Sequence, residues 1–174
     1  GPANASVMVG VRYPSSVAIA PDGHIFVVSR GMPSENPVSA EGPKIGKWRL
    51  DGTRVGDYAR REFTWPAGIA VSADGNVFCS DEHDNFVAAF PPDGPFTPFP
   101  EFNPDGEHLF KWGEPGSAEG QLDGPSGIAF DHNDDLLVVD SRNDRVQKFT
   151  KEGGYLLGWG STGAAPGRFD RPWG

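Results

Sequence analysis

The chain has 174 residues, with 24 Gly, 17 Pro, one Cys and a formal net charge of −9 from 24 Asp and Glu against 15 Lys and Arg. This length favours one domain with a good-sized core, and the acidic balance disfavours nucleic acid as a partner, because general phosphate-backbone binding rests on a basic surface. The lone Cys79 excludes an internal disulfide, and no apolar run is long enough to span a bilayer. The chain reads as soluble, and its compartment stays open, an extracytoplasmic one included. The start Gly1-Pro2-Ala3-Asn4 lacks a charged and then apolar leader pattern, and a removed leader leaves no trace.

Three copies of one unit follow in order. The first begins Pro14-Ser15-Ser16-Val17-Ala18-Ile19, turns at Asp22-Gly23 and continues through Ile25 to Ser29. The second begins Pro66-Ala67-Gly68-Ile69-Ala70-Val71, turns at Asp74-Gly75 and continues through Val77 to Asp81. The third begins Pro125-Ser126-Gly127-Ile128-Ala129-Phe130 and continues through Leu136 to Asp140. Each unit then gives a third apolar segment (Ile45 to Trp48, Val87 to Phe90, Val146 to Phe149) and an acidic-Gly turn (Asp51-Gly52, Asp93-Gly94, Glu152-Gly153). A fourth segment closes each unit (Val55 to Tyr58, Leu109 to Trp112, Leu156 to Trp159). Period-two alternation between such turns predicts four short antiparallel strands per unit.

A four-stranded unit of this size that cannot bury its own faces is a β-propeller blade. The expected fold is therefore all-β, with three blades at about 14–62, 66–121 and 125–169 in one segment, and residues 170–174 opening a fourth. The anchor prolines lie 52, 59 and 47 residues apart. Blade 1 gains residues within Arg30 to Lys44, and blade 2 gains a stretch that includes Pro95 to Pro100, before Phe102 to Gly106 restores the register. Strand direction places the Arg30 loop on the face shared by the second-to-third-strand loops and the connections into each blade. The Pro-rich insertion falls on the opposite face.

The runs Pro125 to Asp131, Val139-Asp140-Ser141-Arg142-Asn143-Asp144-Arg145-Val146-Gln147-Lys148-Phe149 and Gly167 to Pro172 resemble the NHL repeat. The resemblance covers nearly the whole chain and is strongest in the third unit. It implies a propeller, commonly six-bladed, so three blades are half a ring, completed by missing sequence or by a homodimer, the former being preferred. Proteins of this family include binding scaffolds, RNA-binding domains and a zinc-dependent lyase that cleaves peptidyl-hydroxyglycine. The lyase resemblance would place His immediately after the anchor Pro and four residues past the Asp ending the second strand. Those columns hold Ser15, Ala67, Ser126 and Trp173, then Asn85 and Asp144. A lyase of that kind is disfavoured within these blades.

Candidate residues gather in the second-to-third-strand loops. Asp81-Glu82-His83-Asp84 puts one imidazole among three carboxylates, which suits a polar ligand or a divalent metal, with Asp81, His83 and Asp84 as its candidate ligands. The favoured alternative is a solvated loop in which Asp81 accepts turn amides. No cofactor is predicted, although a divalent metal is left open. Arg142 and Asn143 occupy the equivalent loop of blade 3, where Asp140 and Arg145 are expected to form a hydrogen-bond network. Arg30 stands where the other blades carry Glu82 and Ser141 and presents a positive charge to an anionic ligand. Trp65 and Trp173 flank anchor prolines outside the repeating column Tyr58, Trp112 and Trp159, so they are recognition candidates and the column is blade packing. Cys79 aligns with Val27 and Val138 and reads as a small buried residue. No serine has a paired His and acid at a recognisable elbow.

These features point to a non-catalytic module that binds a protein or small ligand on the Arg30 loop face. The alternative is a metal-assisted lyase or lactonase-like hydrolase at the channel mouth, and RNA binding is the third reading.

Overall fold

The computed structural model describes residues 13–31, 42–59, 62–93 and 108–174. The expected insertions, with Phe102 to Gly106, lie outside the described residues. Twelve strands form among the described residues: β1 (Pro14–Ile19), β2 (Ile25–Ser29), β3 (Lys44–Trp48), β4 (Arg54–Tyr58), β5 (Pro66–Val71), β6 (Val77–Asp81), β7 (Phe86–Phe90), β8 (Phe110–Trp112), β9 (Pro125–Phe130), β10 (Leu136–Asp140), β11 (Arg145–Phe149) and β12 (Tyr155–Trp159). They build three antiparallel sheets in chain order, β1 to β4, β5 to β8 and β9 to β12. Each sheet is one blade, and the three do not close a ring. Among the described residues no helix is long and apolar enough to cross a membrane.

The cores lie between blades. Phe26, Val28 and Ile45 of blade 1 meet Ile69, Val77 and Cys79 of blade 2. On the other face of blade 2, Phe78, Val87 and Ala89 meet Leu136, Val138 and Phe149 of blade 3. Each of the Val, Leu, Ile and Phe side chains among them contributes roughly 1.5–3 kcal/mol by leaving water. Trp112 packs its ring 4.4 Å from Phe149, which makes this member of the aromatic column blade packing. Trp159 instead lies half exposed on the outer face of blade 3. Cys79 is fully buried, and burial pushes its thiol well above the ordinary range.

Strands β1, β5 and β9 run side by side along the inner edge. Their approach is close enough to require glycine: a Cβ on Gly68 would collide with the Ser126 carbonyl oxygen, and one on Gly127 would collide with the Gly174 Cα. The last residues therefore seat against blade 3 much as blade 3 seats against blade 2. Each inner strand also carries a pairing irregularity just after its anchor proline. A bulge there re-aims the following side chain.

On the face opposite the Arg30 loop, Asp134 adopts φ 62° where Gly23 and Gly75 take φ 85° and 89° in the other blades. Its carboxylate accepts the Ala73 amide at 2.8 Å and faces Lys151 at 3.3 Å, while Lys151 also reaches Asp74 at 2.9 Å. Aspartate tolerates this backbone region better than most side chains, and here it ties blade 3 to blade 2.

Candidate functional site

The second-to-third-strand loops and the connections into each blade do share a face. In blade 2 the buried Asp81 ends β6 and accepts four main-chain amides. Its Oδ2 takes Thr64 at 2.7 Å and Trp65 at 2.8 Å, and its Oδ1 takes His83 and Asp84, both at 2.9 Å. One carboxylate thus fixes both the loop and the chain entering the blade.

Side chains radiate from that frame. The His83 ring meets Trp65 edge-on, 5.6 Å between centroids, and its Nδ1 lies 2.8 Å from the Asp84 carboxylate. The Thr64 hydroxyl donates to Asp84 at 2.6 Å and, with His83, holds that carboxyl below the usual range. Arg30 reaches across from blade 1. Its Nη2 donates to Glu82 at 2.8 Å and its Nε to the Pro66 carbonyl at 3.2 Å. The guanidinium carbon stands 5.3 Å from the centre of the Trp173 indole, a cation–π distance. Arg30, Glu82 and Trp173 therefore converge, as do Trp65, His83 and Asp84. The two indoles are 42% and 57% exposed, in the order Trp65, Trp173.

Blade 3 uses the equivalent loop differently. The buried Asp140 accepts one amide, from Asp123 at 2.6 Å, and then three side chains: Asn143 at 2.9 Å, Arg145 at 2.7 Å and Gln147 at 3.0 Å. Arg145 also donates to the Ser117, Ala118 and Gln121 carbonyls, and Asn143 to that of Gly116. Asn143 is thus committed to holding the 113–124 connection. Arg142 spreads over Gly124 and reaches Asp123 at 3.1 Å, apart from the Trp65 cluster.

Two cavities open on this face, and Trp173 lines both. One, of about 630 Å³, is bordered by Arg142, Asp144, Thr162, Asp170 and Arg171. The other, of about 410 Å³, runs along the inner strands at Ser15, Ala67, Gly68, Ser126 and Gly127. Asp144 accepts the Arg171 amide at 2.7 Å and the Thr162 hydroxyl at 2.6 Å, and these bonds hold its carboxyl below the ordinary range. Asn85 does the same for Gly124 at 2.7 Å, so both positions latch the chain as it enters the next blade.

The NHL repeat matches residues 122–149. Residues 122–149 thus carry an NHL repeat, and the three sheets are blades of a β-propeller fold. It is 29% identical over 147 residues to peptidylglycine alpha-amidating monooxygenase of Rattus norvegicus, a match covering 78% of this chain and 13% of that protein. Among solved structures it is similar to virginiamycin B lyase from Staphylococcus aureus, with a TM-score of 0.56, 17% identity and coverage of 82% of this chain and 40% of that one. A nidogen/laminin complex gives a TM-score of 0.59 at 18% identity, covering 85% of this chain and 49% of the matched one. The chain thus spans less than half the length of each of these proteins.

Within this NHL segment the columns that would hold lyase imidazoles carry Ser15, Ala67, Ser126, Trp173, Asn85 and Asp144. Among the described residues no three His, Cys, Asp or Glu side chains gather as a metal site. The oxygens of Asp81, first of the weak metal candidates, are turned toward amides. Sequence reasoning passed over Arg171 and Ser126 as site residues. Arg171, directly before its anchor proline, has φ 45° where Gly124 has φ 64° and Tyr13 φ 53°, and this column of unlike residues carried no signal in the sequence. Ser126 gave no signal beyond not being histidine.

Proposed function

We propose that this chain is a non-catalytic NHL propeller module that binds a protein or a small ligand on the face carrying Arg30, Trp65, Glu82, His83, Asp84 and Trp173. The observation that carries the reading is the pair of exposed indoles, each held by a neighbour: Trp65 by His83, and Trp173 by Arg30. Preset aromatic side chains lose little freedom on contact, and Trp and Arg are frequent energetic anchors of interfaces. The chemistry of the carboxylates agrees. Asp81 and Asp140 are buried and engaged by donors at both oxygens, which suits them to framework roles and not to proton transfer.

Propellers host both binding and catalysis, so fold alone selects neither. A metal-assisted hydrolase or lyase at the mouth would draw on His83 and Asp84, and a stoichiometric divalent ion retained through dialysis would favour it. Completion of the ring by further sequence or by a second copy belongs to the same proposal, and the mass in solution reads it.

The test uses 5-fluorotryptophan. The chain has five tryptophans; Trp48 and Trp112 serve as packed controls. Titrating a collection of small polar and aromatic fragments is expected to shift the Trp65 and Trp173 fluorine resonances while the controls stay still. Responses confined to Trp159, or to none of the five, would remove the reading.

A further inference from the structure

The corner between Trp65 and His83 belongs to blade 2, which packs against a described blade on either side. The repeat fills the same corner of blade 3 differently. There Gly124 stands where blade 2 has Trp65, and Arg142 stands where it has His83. The Arg142 side chain covers Gly124, its Cγ 3.1 Å and its Nε 3.2 Å from the place a Cβ would take, and pairs with Asp123. Blade 3 thus closes the corner with its own arginine. Blade 2 puts an aromatic ring at both positions, and the two meet at 66° with 5.6 Å between centroids, edge to face and not stacked. The rings enclose an open notch, and both remain substantially exposed.

The notch is held from behind. Asp81 takes the Trp65 amide on one oxygen and the His83 amide on the other, and the Trp65 carbonyl accepts the Glu82 amide at 3.0 Å. The imidazole is fixed in its hydrogen as well as in its place. Thr64 donates its hydroxyl to Asp84 Oδ2 at 2.6 Å, and with its carboxyl held below the usual range Asp84 is ionised and can only accept. The 2.8 Å contact between Asp84 Oδ1 and His83 Nδ1 therefore assigns the ring hydrogen to Nδ1. In the neutral ring Nε2 then carries a lone pair, and among the described residues no hydrogen bond reaches it.

We propose that Trp65 and His83 form a site for an uncharged aromatic group carrying one hydrogen-bond donor, with its ring against the Trp65 indole and its donor at His83 Nε2. This rests on the reading of the Arg30 face as a binding surface and names a ligand class for it. Asp84 and Thr64 are positioning residues, since they set which imidazole nitrogen accepts. The pinned backbone leaves little freedom to lose on contact. An anionic ligand would meet the Asp84 carboxylate, whereas the nearby Glu82 is already paired with Arg30. A ligand that can only accept would face the Nε2 lone pair with nothing to offer it.

Phenol and anisole test this, because they share a ring and differ in the donor. Each is titrated at about pH 8, well above the ordinary histidine value of about 6.5, into the 5-fluorotryptophan protein. The affinity is read from the Trp65 resonance. Phenol is expected to bind about fivefold more tightly than anisole, the worth of one hydrogen bond. His83→Phe keeps a ring in place and should bring phenol down to the anisole level, while Trp65→Ala should abolish both. Nitrogen NMR of the free protein adds a readout that needs no ligand: His83 should carry its hydrogen on Nδ1, and Asp84→Ala should release that preference. Equal binding of the two probes, binding of neither, an unchanged phenol affinity in His83→Phe, or a His83 hydrogen found on Nε2 overturns the assignment. So does tighter binding of phenyltrimethylammonium than of phenol, which would mark a site for cations instead. Should the fragment collection still shift Trp65 and Trp173 while phenol shows no preference, the donor site fails and the binding face stands. Silence of both indoles ends the two together.

Discussion

The loops after β6 and β10 start from the same repeat and end in opposite roles. Asp140 is met by Arg145 and Gln147, which go on to fasten the connection between blades 2 and 3. Blade 2 replaces that Arg and Gln with Phe86 and Ala88, which pack in the core between blades 1 and 2. Asp81 must then be satisfied by amides alone, and the loop side chains Glu82, His83 and Asp84 turn to Arg30, Trp65 and Thr64. Removing a structural fork from the repeat is what frees a loop to present side chains.

The largest expected effect tests the structural half of that contrast. Arg145→Met leaves Asp140 buried without its guanidinium and unties three carbonyls, so chemical denaturation should show a loss of about 3–5 kcal/mol. Gly68→Ala forces a methyl against the Ser126 carbonyl in the tight inner row, and should cost about 1–3 kcal/mol by the same assay. Arg30→Met sharpens the comparison from the other side. Its side chain is 30% exposed but that of Glu82 is only 10% exposed, so leaving that carboxylate without its partner should cost about 1–3 kcal/mol, less than for Arg145→Met, while the Trp173 fluorine resonance moves. A loss for Arg30→Met equal to that for Arg145→Met would erase the distinction between the two loops.

The smallest effect lies on the opposite face, where Lys148 lies 2.8 Å from both Asp131 and Asp135. The Lys148 ammonium, helped by the Asn133 and Asp135 amides, pulls the Asp131 carboxyl down to about 2. Because the folded value is depressed, its stabilisation is complete above the ordinary aspartate range of about 3.9 and is lost as pH falls through about 2. Carboxyl carbon NMR should find Asp131 titrating there, and Lys148→Met should move the transition upward while the mouth is undisturbed.

Much of the fold could be read from the sequence because the repeat states it three times. Asp-Gly turns demand positive φ at Gly23 and Gly75, and the alternation around Ile69 and Ile128 marks inner strands. The anchor prolines likewise placed the loops on a common face. Trp65 and Trp173 stood out because they break a column, and the structure finds both exposed and oriented. What the sequence could not supply was partnership. Arg30 and Trp173 come from opposite ends of the chain and meet only through blade order, and Asn143 is occupied by the Gly116 carbonyl, a contact with no local signature.

The central claim is that binding belongs to the face of Arg30, Trp65 and Trp173. Two-dimensional amide NMR of the labelled chain, titrated with the same fragment collection, tests it most directly. Perturbations are expected to concentrate at residues 30, 65, 82–84 and 173, with the Asp140 network little changed. Perturbations concentrated at the opposite-face turns around Gly23, Gly52, Gly75 and Gly153 would contradict it.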